Sequence, residues 1–153
     1  MIDAPQVLDV GAQHAAIIHL TIPRSEIQRE MGPAMQEVMR VVGEQGATPV
    51  GPMFSHHHRM PSDVFDFDVG IPVAHPISAS GRVQPGGLPA ARIARTIYRG
   101  PYESLGAAWG EFNAWMRAAG HNAADDLWES YVAGPESGPD ASAWQTRLNR
   151  PLR

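Results

Sequence analysis

The sequence predicts an α+β fold made of two pseudo-symmetric β-α-β-β repeats in tandem, arranged around a central pocket. Three observations carry this. Strand-like and helix-like stretches run strand–helix–strand–strand, and then do so again. Landmark residues recur at nearly constant offsets: Pro23 and Pro101 lie 78 positions apart, Gly46 and Gly120 lie 74 apart, and Pro72-Val73 and Pro151-Leu152 lie 79 apart. The changes of offset fall where a duplicated unit tolerates them, as a first helix four residues (about one turn) longer and a second hairpin loop five residues longer. One such unit cannot bury both faces of its hairpin. Two can pack about a pseudo-twofold axis, and the groove between them is the expected ligand site.

Each element follows from local pattern. Residues 14–22, HAAIIHLTI, are rich in Ile and free of breakers, which reads as a strand. Pro23 and Ser25 open the first helix, with Ser25 and Gln28 at capping-box spacing. Ile27, Met31, Met35, Val38 and Val42 recur at about the helical period, and Gly32-Pro33 predicts a kink or restart among them. Gly46 ends the helix. VGPMFSHHHRM and DVFDFDVGIPV follow as two strands with a turn near Pro61-Ser62. In the second, Phe65, Phe67, Val69 and Ile71 alternate with Asp66, Asp68 and Gly70, so one face is expected to be buried and the aspartates solvated. Residues 75–87 read as a polar Gly/Pro/Ser-rich connector. Residues 88–98 form the next strand, Gly100 and Pro101 take N-cap and N1 of the second helix with Glu103 at N3, and Gly120 closes it. DLWESYVAG and AWQTRLNRPL are the closing strands, the second starting at Trp144. The chain thus reads as a single domain, 1–153, with repeat one at about 14–73, the connector at 75–87 and repeat two at about 88–152.

Composition excludes several chemistries. The 153 residues contain no cysteine, so neither disulfides nor thiolate metal sites are available. All 12 basic residues are arginines, so Schiff-base chemistry and a phosphate-loop lysine are ruled out. Those arginines are scattered from Arg24 to Arg153 and the net charge is −4, without the basic stripe that nucleic-acid binding needs. MIDAPQVLDV is not a secretory signal and no apolar run approaches a membrane span, so a cytoplasmic location is expected.

FDFDVGIPV, GRV, LPAARIARTIYRGPYESLGAAWGEFNAW, LWESYVAGP and the final RPL, in this order and spacing, resemble the GyrI-like small-molecule-binding domain. The same domain is the effector-binding module of some AraC- and MerR-type transcription regulators. The resemblance covers about residues 14 to 152. It implies tandem β-α-β-β units lining one pocket, and binding of drug-like, often cationic or lipophilic compounds against aromatic walls and one acidic residue. By block position that acid is Glu129, with pocket aromatics near Tyr102, Trp109 and Trp144. One branch of such proteins hydrolyses cyclopropane-bearing DNA-alkylating compounds with a Glu and a Tyr, and another acts on DNA gyrase. The first predicted strand begins too near the first residue for the helix-turn-helix that the regulators carry.

Weighed singly, Glu129 reads either as a solvated strand glutamate or as a pocket acid; alternation puts Leu127, Glu129 and Tyr131 on one face. The resemblance favours the pocket, where burial raises the carboxyl pKa and a cation relieves the cost. Tyr102 and Trp109 share a helical face and serve equally well as core or pocket wall, whereas Phe112 is core. Tyr98 and Tyr131 each bring a hydroxyl that needs a partner if buried, and Glu129 is a candidate. The run His56-His57-His58 invites a metal reading. Consecutive strand residues point to opposite faces, so only His56 and His58 share one, and two ligands do not make a zinc site. The expectation is a half-exposed strand, with no metal and no cofactor. At the offset of 74, Phe54 falls on Trp128, Ser55 on Glu129 and His57 on Tyr131. This makes Phe54 and His57 further pocket candidates, and a His57 facing Glu129 predicts a step in ligand affinity near pH 6.5.

Three functions compete. The first is binding of hydrophobic, cationic small molecules at Glu129. The second is hydrolysis of cyclopropanoid electrophiles by Glu129 with Tyr131 or Tyr98. The third is a protein-interaction role, with gyrase or a regulator as partner.

Overall fold

The computed structural model describes residues 2–153; Met1, the first residue of the single-domain reading, lies outside the described residues. Eight antiparallel strands form one sheet: β1 (Gln6–Val10), β2 (Gln13–Pro23), β3 (Phe54–His57), β4 (Val64–Pro72), β5 (Gln84–Leu88), β6 (Ala91–Arg99), β7 (Leu127–Ala133) and β8 (Gln145–Pro151). Two helices, α1 (Ile27–Glu44) and α2 (Leu105–Ala118), complete the α+β fold.

The strand order is β1-β6-β8-β7-β3-β4-β2-β5. Exchanging β1 with β5, β2 with β6, β3 with β7 and β4 with β8 reverses this order onto itself, which is a pseudo-twofold axis between β3 and β7. Across that seam Ser55 pairs with Glu129, and the same two residues are related by the 74-residue offset. The axis therefore runs through the Ser55–Glu129 pair.

β1 and β5 are the main departures from the sequence expectation. Residues 84–88 fall mostly in the stretch read as connector, and residues 6–10 precede the first predicted strand. Both are edge strands. β1 pairs with β6, and β5 pairs with β2 in the matching register, Gln6 opposite Arg95 and Gln84 opposite Ile17. QPGGL carries a proline that a central strand would reject, but an edge strand tolerates it because one row of backbone groups faces outward. Each edge strand thus pairs with the other repeat, a partner that no local pattern reveals.

The helix starts also differ. Pro23 and Pro101 each lead into a 3-10 turn, Arg24–Glu26 and Tyr102–Ser104, before the α-helix begins. The tight turns absorb the first free N–H groups, so no Ser25 capping box forms and neither helix has a side-chain cap. Pro33 neither breaks nor restarts α1, which runs continuously through it. Gly46 (φ 64°) and Gly120 (φ 78°) stop the helices in the left-handed conformation that glycine adopts without steric cost.

Three apolar clusters hold the molecule. α1 buries Ala34, Val38 and Val41 against Ile18 of β2 and Phe67 and Val69 of β4. α2 buries Ala108, Phe112 and Met116 against Ala94, Leu127 and Leu148. On the other face, Phe54 and Trp128 from the central strands join Leu88, Leu8 and Val10 from the two edges. For edges and centre to meet, the sheet must curl into a half-barrel. Glycine permits one close approach in this curl: a Cβ on Gly70 would lie 2.3 Å from the Ala16 carbonyl oxygen. The central segment β3 is consequently buried along its whole length, not half-exposed as the sequence suggested.

Candidate functional site

The two helices leave the central strands uncovered between them, and a cavity of about 1980 Å³ opens there. Alternation along β3 and β7 points Ser55, His57, Glu129 and Tyr131 into it. α2 and the turn before it supply Trp109 and Tyr102, and Trp144 stands just before β8, as the residue that ends a 3-10 turn.

Glu129 sits at the floor, partly exposed to the cavity. Trp109 Nε1 donates to its Oε2 at 2.7 Å and the Tyr131 hydroxyl donates to its Oε1 at 2.9 Å. Because Tyr131 gives its only proton to Glu129, Ser55 Oγ, 2.7 Å away, donates to Tyr131 in turn. The outcome is a relay from Ser55 through Tyr131 to Glu129, built across the pseudo-twofold axis. Burial pushes the Glu129 carboxyl pKa above its usual value, and the donors Trp109 and Tyr131 offset only part of that. Burial and the neighbouring Glu129 push the Tyr131 phenol well above its ordinary range. Tyr102 packs edge-on against Tyr131 with ring centres 5.9 Å apart and lies 5.2 Å from Trp144, so aromatic faces flank the acid.

His57 faces the cavity, stacked on Phe67 with ring centres 4.9 Å apart and edge-on to Phe65. Burial, aided by His56 and His58, holds its pKa down at about 4, and its Nδ1 has no hydrogen-bond partner among the described residues. It is neutral throughout the range from pH 5.5 to 8. His57 therefore does not supply the expected affinity step near pH 6.5.

Two candidates lie elsewhere. Phe54 is buried on the opposite face with Trp128, since it is one residue out of phase with Ser55. Tyr98 is packed in the α2 cluster and its hydroxyl donates to the Pro101 carbonyl at 2.8 Å, so it never meets Glu129.

Several lining residues were not anticipated as site residues. Met31, Met35 and Met39 of α1 form a flexible apolar wall. Met31 and Met35 were legible only as part of a helical stripe, which reads as core, and Met39 lay outside that stripe. Glu103, Glu136 and Asp63 sit exposed around the mouth with Arg24 as the cation among the lining residues. Ser55 was marked by the offset to Glu129, but a hydroxyl alone carries no signature.

The histidine run divides by face. His56 is buried, its Nε2 2.9 Å from Asp126 Oδ2. His58 lies beside Asp68, and so does His19, on the face away from the cavity. Asp68 is buried rather than solvated, because the curled sheet gives that face a core of its own.

Among the described residues no helix is long and apolar enough to cross a membrane. The sequence model for the GyrI-like small molecule binding domain matches residues 3–148. No curated protein sequence matches the chain. The crystal structure of the EcmrR C-terminal domain superposes with a TM-score of 0.86 at 19% identity, covering 98% of this chain and 97% of that one. EcmrR in its complex with DNA gives 0.85 at 21%, and there the chain spans 57% of the length of the protein it matches. A hydrolase from Listeria innocua gives 0.65 at 12%, covering 97% and 91%. SAV2435 bound to tetraphenylphosphonium gives 0.65 at 9%, covering 99% and 94%. These likenesses are likenesses of fold.

Proposed function

The chain belongs to the family of GyrI-like small molecule binding domains, and on that premise we propose that it binds hydrophobic, cationic, drug-like compounds in the cavity over Glu129. The observation that carries this reading is the carboxylate itself. Burial disfavours the charged form of Glu129, yet its hydrogen-bond donors are an indole and a phenol, both neutral. An ionised carboxylate in that setting lacks a counter-charge, and a ligand cation supplies one while the rings of Tyr102 and Trp144 add cation–π attraction. The acidic mouth favours approach of the same charge. Methionines on one wall suit ligands of varied shape. SAV2435, of the same fold, holds a lipophilic cation of this kind.

Isothermal titration tests this with tetraphenylphosphonium and a neutral compound of similar shape, triphenylphosphine oxide. Glu129→Gln is expected to weaken the cation by at least about tenfold, or ~1.4 kcal/mol, and to leave the neutral compound unchanged. Equal binding of the cation by both proteins would remove Glu129 from the reading.

The relay Ser55–Tyr131–Glu129 supports a second reading, hydrolysis of cyclopropanoid electrophiles. A carboxylate of raised pKa would take a proton from water, and the Tyr131 hydroxyl would stabilise the oxygen where negative charge gathers. Loss of the substrate's ultraviolet absorption with wild type but not with Glu129→Ala supports turnover; an unchanged spectrum over hours leaves binding alone.

A further inference from the structure

The face of the sheet opposite the cavity carries a second constellation. His19 on β2 stands in register with Asp68 on β4, and Asp68 stands in register with His56 on β3. His58 continues β3 by one step, its backbone N–H donating to the Asp66 carbonyl at 3.1 Å. Three neighbouring strands therefore hold His19, His58 and Asp68 together. One carboxylate serves both rings: Asp68 Oδ1 lies 2.7 Å from His19 Nδ1, and Asp68 Oδ2 lies 3.1 Å from His58 Nε2. The three groups offer ligand atoms that all lie within 4.8 Å of one another. Ligands on adjacent corners around one metal ion, each bonded at about 2.1 Å, stand roughly 3.0–3.4 Å apart, so small side-chain movements suffice to close around an ion.

Two further features point the same way. His19 Nε2 lies 2.8 Å from Asp66 Oδ1, which also accepts from Thr21 Oγ1 at 3.1 Å. A carboxylate on the far nitrogen of a histidine is the usual outer support of a metal-bound imidazole, fixing its tautomer and orientation. The constellation also breaks the pseudo-symmetry. At the offsets that relate the repeats, His19, His58 and Asp68 correspond to Ile97, Val132 and Arg147. The fold does not require these groups, because its other half does without them.

We propose that His19, His58 and Asp68 form a binding site for a first-row divalent cation of the zinc class. Asp66 orients His19, and water completes the coordination on the exposed side. Two imidazoles and a carboxylate suit zinc, nickel or copper better than magnesium or calcium, which prefer oxygen alone. Asp66 and Asp68 together balance the charge of a divalent ion. The proposal departs from the expectation of no metal, which found two histidines of one run on a shared face and no constellation at His19; here His19 of β2 and Asp68 of β4 join His58.

The test is isothermal titration of the full chain, freed of metal with a chelator, with zinc chloride at pH 7.5. One ion per chain is expected, together with a rise in thermal midpoint on adding zinc. His58→Ala and His19→Ala should each weaken binding by at least about tenfold, as loss of even an outer support commonly does. His75→Ala, an exposed histidine elsewhere, should leave it unchanged. The His58 side chain is 41% exposed, so its removal tests the ligand without unfolding the strand. Absence of zinc binding would leave these residues as ion pairs only. Zinc binding that survives His19→Ala would assign the ion to the histidine run alone. Either result overturns the site.

Discussion

Glu129 and His57 share a cavity wall but titrate in opposite senses, and each gives a prediction. A cation-bound complex holds Glu129 ionised, whereas the free protein keeps its proton to a pH above the ordinary 4.5. The free protein thus binds more protons than the complex. Affinity for tetraphenylphosphonium should rise as pH rises from 4.5 and level off once Glu129 is ionised in the free protein; titrations between pH 5 and 8 measure it. Triphenylphosphine oxide should show no such rise. His57 behaves inversely. Its pKa is held at about 4 in the folded chain against 6.5 when unfolded, so the unfolded chain binds the extra proton. The stabilisation is full above pH 6.5 and is lost as pH falls toward 4, amounting to about 3 kcal/mol in all. His57→Phe, which keeps an aromatic ring against Phe67, should flatten the acid side of a melting-temperature profile; a profile parallel to wild type between pH 4 and 6.5 would contradict it.

Among the elements, what could be read from sequence depended on how far away each partner lies. The helix stops at Gly46 and Gly120 and the length difference between α1 and α2 were legible because they are local, needing only a left-handed glycine and a period. β1 and β5 were not, since QVLDV and QPGGL become strands only by pairing across to the other repeat. Asp68 misled for a related reason: alternation was read as dry against wet, but the curl puts Phe54, Trp128 and both edges into a core on the supposedly wet face. Of the candidate site, Glu129, Tyr131, Trp109, Tyr102, Trp144 and His57 do line one cavity, while strand phase removes Phe54 and the α2 cluster removes Tyr98. Pro33 offers a test at this scale. It lies exposed in the interior of α1, where it cannot donate to the helix ladder. Pro33→Ala should raise stability to urea by about 1–3 kcal/mol; a loss would mean that the proline fits a local distortion that the wall of methionines requires.

The whole molecule is laced rather than merely stacked. Each repeat lends its leading strand to the other, and the seam β3·β7 joins them in the middle. Neither half has its full sheet alone, so unfolding should be one cooperative transition. The tryptophans make this measurable: all four, at 109, 115, 128 and 144, lie in the second half. Their fluorescence reports that half, while far-ultraviolet circular dichroism reports both. The two curves in urea should coincide, and separate midpoints would show the halves unfolding independently. The axis through Ser55 and Glu129 has one more consequence. Two identical chains meeting on such an axis must place the same residue on both sides of it. They could present two glutamates, whose charges would repel, or two serines and no charge. A lone acid at the centre of such a cavity needs two halves of different sequence, which a single chain carrying both supplies. Within one chain, one side of the axis can hold the charge while the other holds a hydroxyl that supports it.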